Sequence, residues 1–344
     1  ANWETISEHV THLLLFSLEI RPDGRLHAFD RFPRKELYQQ AREATRRHGT
    51  RLLICFGGNG RSAGFSPMVK DKTPRRRFLK ELVQLIQDYD LDGVDYNWEY
   101  PGFQFGRGYL SDAEIVADYT GLATLVKETK LIFRKKNMED KVITMAYYPD
   151  LRQEREIRAY GIYKYVDLMH MMTYDADGQQ HSSMEFAEKS LRQGCQLLPC
   201  EKLTLGVPFY GRASTIRDWT TYEDLVQNHD PLDPDVNAVP DPELKGVVIS
   251  FNGVSWMENK TRMTIEKKSG GIMIWEVGQD CRLVPITHGS KTHKRTCPKD
   301  ESSLLLAITR ARKSEGIDRM RLTVPASSSS AADRSSSDGG HDEL

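Results

Sequence analysis

Residues Leu91–Gly102 read LDGVDYNWEYPG. In a strand, residues two apart share a face, so Asp95, Asn97 and Glu99 point one way and Val94, Tyr96 and Trp98 the other. A strand buried on both faces is normally a continuous apolar run. Three ionisable or amide groups on one inner face cost roughly several kcal/mol each if left unpaired. That row is placed for chemistry rather than stability, while Trp98 is expected to pack only. A hard-ion site of Asp, Asn and Glu is the competing reading, but no His-rich set accompanies it, and neither a metal nor a cofactor is called for.

Outward from this stretch, apolar runs rich in β-branched residues alternate with helix-period segments along the whole chain. The strand candidates are His9–Ile20, Thr50–Gly58, Leu91–Tyr100, Lys141–Pro149, Tyr165–Asp175, Lys202–Gly211 and Gly270–Gly278. Helical patterns between them include Arg34–His48, Pro74–Asp90 and Asp112–Lys136. Such alternation means an α/β fold with a parallel sheet covered by helices, either doubly wound or closed into a barrel. Seven strands are one short of a (β/α)8 (TIM) barrel. The expectation is a barrel whose first strand is absent from this chain, spanning residues 1–316. Residues 317–344 form a Ser-rich tail expected to be disordered.

Composition narrows the function. With 48 Lys+Arg against 49 Asp+Glu the net charge is −1, which points to neither nucleic acid nor an anionic membrane as partner. The basic clusters Pro74–Lys80 and Lys291–Arg295 read as solvated surface. No apolar run reaches the ~18 residues of a membrane span. The chain ends in HDEL, a receptor-read address for retention in the endoplasmic reticulum lumen, behind an exposed Ser-rich tether. An N-terminal leader is therefore expected upstream of Ala1. Five cysteines fit an oxidising compartment: Cys55 as a buried thiol, with Cys195/Cys200 and Cys281/Cys297 as possible short-range pairs. One glycosylation sequon stands at Asn259–Thr261. The Gly-rich Phe56–Gly64 lacks the Gly-Lys-Ser/Thr ending of a phosphate loop.

The row at 95, 97 and 99 resembles the D-x-x-D-x-D-x-E signature of glycoside hydrolase family 18, the chitinases and chitinase-like lectins. Asp92, Asp95 and Glu99 match, and Asn97 stands in place of the third aspartate. CFGG (Cys55–Gly58) resembles the family's S-x-G-G, with Gly57 and Gly58 matching. MTYD (Met172–Asp175), GVPFYGR (Gly206–Arg212) and GGIMIWEVGQD (Gly270–Asp280) resemble later motifs in the family's order. The resemblance implies substrate-assisted retention, the exception to the two-carboxylate scheme. On that pattern Glu99 is the acid, then the base; residue 97 holds the 2-acetamido group; and Asp95 tunes residue 97. Tyr174 and Asp175 would bind the reacting sugar over a Trp275 floor, with Met145, Tyr147 and Tyr210 as wall residues.

Asn97 can accept an acetamide N–H but supplies no negative charge, and charge-assisted hydrogen bonds are about twice as strong as neutral ones. The loss is ~1–3 kcal/mol, on the order of 10–100-fold in rate. Two readings follow. The first is a hydrolase of β-1,4-linked N-acetylglucosamine, in chitin oligomers or the chitobiose core of N-glycans. The second is a chitinase-like lectin whose aromatic cleft binds without turnover. The segment between Arg212 and Val248 is too short for a large α+β insertion, so a shallow, open cleft is expected.

Overall fold

The structure, a computed structural model, describes residues 2–214, 218–288 and 291–317. Helix α1 (Trp3–His9) leads into strand β1 (His12–Ile20), which folds back through the short β2 (Leu26–His27). Then come α2 (Lys35–His48), β3 (Arg51–Gly57), α3 (Phe65–Lys70), α4 (Lys72–Asp88) and β4 (Gly93–Asn97). A two-stranded hairpin, β5 (Phe103–Gln104) and β6 (Gly108–Tyr109), precedes α5 (Asp112–Lys135) and β7 (Val142–Tyr147). The chain continues through α6 (Arg152–Ala159), β8 (Leu168–Met171), α7 (Met184–Leu197) and β9 (Leu203–Pro208).

An insertion of β10 (Tyr210–Ala213), β11 (Trp219–Thr221), α8 (Tyr222–Asn228), β12 (Ala238–Pro240) and β13 (Val248–Ser250) follows. The body closes with α9 (Val254–Glu266), β14 (Gly271–Trp275), the hairpin β15 (Ile286–His288) and β16 (Lys291–His293), and α10 (Leu304–Ser314).

Local chemistry sets these boundaries. Ser111 and Glu114 cap α5 reciprocally, the Ser hydroxyl taking the Glu114 amide and the Glu carboxylate the Ser111 amide. Gly49 ends α2 in the left-handed region (φ +63°). The buried Asp280 carboxylate accepts from the amides of Cys281, Leu304 and Leu305 and from Ser303 Oγ, tying β14's exit to the start of α10.

The main sheet runs β14-β9-β8-β7-β4-β3-β1-β2, with seven parallel strands and an antiparallel β2 at its edge. The seven-strand expectation is met, and the helices cover the sheet's outer face. Strands β14 and β1 are the two ends of the parallel run, with no described strand between them. A cavity of about 490 Å³ lies in that opening, lined by Leu13, Leu15, Ile272, Ile274 and Thr204 and reaching Asn97.

On the helix side of β4, Trp98 stacks on Phe65 (centroids 5.2 Å, interplanar 11°) and Tyr96 shares a hydrogen bond with Thr129 (2.8 Å). Trp98 therefore packs, as expected. The β10–β13 insertion forms its own four-stranded sheet, ordered β11-β10-β13-β12, with the seven-residue α8. It is a small α+β insertion, in keeping with the expectation that no large one fits. Disulfides join Cys195 to Cys200 and Cys281 to Cys297, and Cys55 is a buried free thiol. Within the basic Pro74–Lys80 cluster, Arg75 departs from the solvated reading: it is buried against Glu128 and the Val69 carbonyl. No described helix is long and apolar enough to cross a membrane. The Ser-rich tail and HDEL lie outside the described residues.

Candidate active site

Parallel register brings one polar layer together in the barrel interior. Asp95 is opposite Cys55 on one side and Thr144 on the other, and further round His170 is opposite Thr204. Thr144 Oγ1 donates to Asp95 Oδ1 at 2.6 Å, and His170 Nε2 lies 3.8 Å from the same oxygen. His170 Nδ1 bonds Thr204 Oγ1 at 2.7 Å. Burial keeps the His170 imidazole below its ordinary value, while Asp95 pulls it up. Burial pushes the Cys55 thiol well up, reinforced by Asp95.

One step nearer the rim, Asn97 is buried and donates from Nδ2 to Glu99 Oε1 at 3.1 Å. Its Oδ1 is buried without a hydrogen-bond partner. A buried acceptor left without a partner costs ~1–3 kcal/mol. Glu99 follows the C-terminal end of β4, the rim at which barrel enzymes do their chemistry. Burial raises its carboxyl from 4.5 to about 7; the Asn97 hydrogen bond pulls it down and the Asp175 charge pushes it up. Its backbone amide is fixed by Ser62 Oγ at 3.1 Å. A half-buried carboxyl with this pKa is suited to give and take a proton near neutrality.

The two glycines of CFGG let neighbouring chain approach this row. A Cβ on Gly57 (φ +100°) would lie 2.3 Å from the Asn97 carbonyl, and one on Gly58 (φ +105°) 2.4 Å from Phe16 Cζ. The Gly58 amide donates to that Asn97 carbonyl at 2.8 Å. Asp92 belongs to the opposite end of β4. It takes two bonds from Arg42 (2.6 and 3.3 Å) and one from the Leu52 amide (2.8 Å), a structural clamp remote from the row.

The remaining groups converge from β7, β8, β10 and β14. Tyr174, Tyr210, Ala146 and Met172 form a buried cluster on which Tyr100, Tyr148, Met273 and Trp275 pack. Trp275, half-buried, meets Phe16 edge-on at 4.5 Å. Asp175, at φ +60°, accepts from Tyr210 Oη (2.7 Å) and Arg212 Nη1 (3.2 Å), so the insertion orients a carboxylate of the β8 loop.

Met145 and Tyr147 are not wall residues. They face outward with Tyr96, Trp98 and Ile157, and the inward residues of β7 are Thr144 and Ala146. Strand β7 is buried on both faces, so apolar character alone leaves its parity open. The polar Thr144 was the available signal. His170, Ser62, Phe16 and Arg212 were also missed: His170 and Ser62 lie outside the matched motifs, while the contacts of Phe16 with Trp275 and of Arg212 with Asp175 depend on tertiary placement. Among the described residues no group of three or more His, Cys, Asp or Glu is arranged to hold a metal ion.

A family model for glycosyl hydrolases family 18 matches residues 2–280. The chain belongs to glycosyl hydrolase family 18. Among its relatives, a probable chitinase 2 of Drosophila melanogaster is 25% identical over 73% of this chain and 62% of that protein. A class V chitinase of Lotus japonicus is 24% identical over 67% of each. The chain spans well under two thirds of other chitinase relatives, 32% of a Manduca sexta endochitinase and 48% of a Pinctada maxima putative chitinase. Its fold is shared with an Ostrinia furnacalis Group IV chitinase solved with allosamidin (TM-score 0.68, 22% identity, 90% and 92% coverage). A Bacteroides thetaiotaomicron chitinase gives 0.69 at 19% identity, with 90% coverage of each chain. The two disulfides of this family 18 chain suit the secretory pathway.

Proposed function

We propose that this family 18 chain is a retaining glycoside hydrolase that cleaves β-1,4-linked N-acetylglucosamine by substrate-assisted catalysis. The observation that carries the reading is the pairing of a proton-holding Glu99 with the orphaned Oδ1 of Asn97, two residues apart on one inner face. The sugar's acetamide N–H is the donor that Oδ1 lacks. Once held there, the acetamide oxygen attacks the anomeric carbon while Glu99 gives its proton to the departing glycosidic oxygen. An oxazolinium forms, and the glycosidic C–O bond breaks. Glu99, now a carboxylate, takes a proton from the water that opens the ring, which regenerates the acid and retains the configuration.

Asp95 acts one layer below through its contact with Thr144 and its proximity to His170, and Trp275 floors the sugar. Tyr174 and Asp175 take its polar groups, with Tyr210 holding Asp175. Asn97 supplies no charge to the oxazolinium, which supports a slow enzyme and keeps a glycan-binding lectin as the second reading. Chitin oligomers and the chitobiose core of N-glycans both carry the required linkage. The HDEL terminus supports residence in the endoplasmic reticulum lumen and recognition by its retention receptor. Turnover of a fluorogenic chitobioside by the wild type, with Glu99→Gln as control, tests the reading. Turnover that survives in the Gln variant removes Glu99 as the acid, and binding without turnover in the wild type selects the lectin.

A further inference from the structure

Lys260, on α9, is the one buried lysine among the described residues, with none of its surface exposed. Its ammonium donates to the Ser182 carbonyl (2.8 Å), to Ser182 Oγ (2.9 Å) and to Asn252 Oδ1 (2.7 Å), which uses all three of its N–H groups. Every one of these acceptors is neutral. Burial therefore pulls the Lys260 pKa down from 10.5 to about 7, with no carboxylate beside it to hold it up. A cation buried among neutral partners is costlier than an apolar side chain of the same length. That cost stands against what the ammonium joins.

Ser182 lies at the end of the loop between β8 and α7, the loop that carries Asp175. Its hydroxyl donates to the carbonyl of Thr173, two residues before Asp175, at 2.8 Å. In the same loop His181 Nδ1 accepts from the Asp175 amide at 3.3 Å, and the His181 ring lies 5.1 Å from that of Tyr210. Asn252 belongs to the other side, the insertion. It follows β13, whose Ser250 is opposite Arg212 of β10, and its Nδ2 donates to the Ser182 carbonyl at 2.8 Å. Gln180 Nε2 adds a second seam, to the carbonyls of Asn237 (3.0 Å) and Phe251 (3.2 Å). One ammonium thus grips both the loop that bears the Asp175 carboxylate and the sheet that bears its donors, Tyr210 Oη and Arg212 Nη1.

We infer that Lys260 is a positioning residue: by holding Ser182 to Asn252 it sets where the Asp175 carboxylate stands relative to the reacting sugar. Being fully buried, it acts only through those two residues and never meets the substrate. The inference rests on the function proposed above, which puts Asp175 on that sugar.

The test is a double-mutant cycle on the full chain, comparing the wild type with Lys260→Met, Asp175→Asn and both together. Turnover of a fluorogenic chitobioside gives kcat/KM for each. Calorimetry gives the affinity for N-acetylglucosamine tetramer in the same set on a Glu99→Gln background. Lys260→Met should lower kcat/KM roughly ten- to a hundredfold when Asp175 is present. With Asp175→Asn already in place it should cost less than about twofold, and tetramer affinity should follow the same pattern. A purely structural lysine would instead lower both backgrounds by one factor. That result, or a Lys260→Met chain equal to the wild type, overturns the positioning role while wild-type turnover keeps the proposed function. A wild type that binds without turnover, with a coupled binding cycle, overturns the hydrolase and leaves Lys260 positioning Asp175 for a bound glycan. Neither binding nor turnover overturns both. If Lys260→Met does not fold, Ser182→Ala, which takes one hydroxyl from the ammonium, runs the same cycle: coupling to Asp175→Asn supports the role and independence overturns it.

Discussion

Asn97→Asp asks most directly what the amide at that position does. In the present chain Asn97 Nδ2 stands 3.1 Å from Glu99 Oε1 and donates to it, which lowers the Glu99 pKa. A carboxylate at the same distance reverses the sign. It removes a donor and adds a like charge whose repulsion is about 5 kcal/mol at most for an effective dielectric near 20. The pair relieves that cost by holding a proton, so the Glu99 pKa moves above its present value of about 7.

The new charge also faces the oxazolinium, where a charge-assisted contact replaces a neutral one, a gain of roughly 10–100-fold in kcat. The assay is kcat and kcat/KM on a fluorogenic chitobioside from pH 4 to 10. The expected outcome is a faster enzyme whose basic limb lies at least about one pH unit higher than that of the wild type. A variant that is unchanged or slower, with an unshifted profile, would refute the placement of residue 97 against the acetamide.

Other consequences follow from the same structure. Glu99 binds its proton more tightly in the folded chain (about 7) than unfolded (4.5), so its ionisation disfavours the fold. The contribution of the neutral form is intact below pH 4.5 and is lost as pH rises to 7; Glu99→Gln should raise the melting temperature at pH 8, by up to about 3 kcal/mol of stability, and change little at pH 4. Gly57→Ala places a methyl 2.3 Å from the Asn97 carbonyl at φ +100°, and should cost about 2–4 kcal/mol in denaturant unfolding while also depressing turnover, because Asn97 must move. Asp280→Ala strands the Cys281 amide and three donors at the start of α10 and should lower stability by about 3 kcal/mol or more, read by calorimetry. Cys281→Ser/Cys297→Ser opens a loop of sequence separation 16 and should lose roughly 3 kcal/mol, measured against an unreduced control.

The sequence was most legible where polarity broke an apolar run. Asp95, Asn97 and Glu99 announce their common face because an inner strand has no structural use for them. Strand-helix alternation and the seven-strand count carried the barrel for the same reason: period and length are local properties. Parity in β7 was not legible from apolarity, because Val142, Ile143, Met145 and Tyr147 are all buried, some inward and some under the helices. Only Thr144 distinguishes the faces. The clamp on Asp175 was hidden for another reason. Tyr210 and Arg212 reach it from the first strand of the insertion, and its partners depend on tertiary placement rather than spacing. The burial of Asn97 Oδ1 without a hydrogen-bond partner is likewise a property of the assembled interior.

In the proposed reaction Glu99 protonates the leaving oxygen while the substrate's acetamide, held by Asn97, forms the intermediate. The most direct measurement is the anomeric configuration of freshly released product, followed by proton NMR during hydrolysis of an N-acetylglucosamine hexamer. Substrate-assisted retention gives the β-anomer first, relaxing later to the equilibrium mixture, and no product from Glu99→Gln. An α-anomer first, or product from the Gln variant, would contradict it.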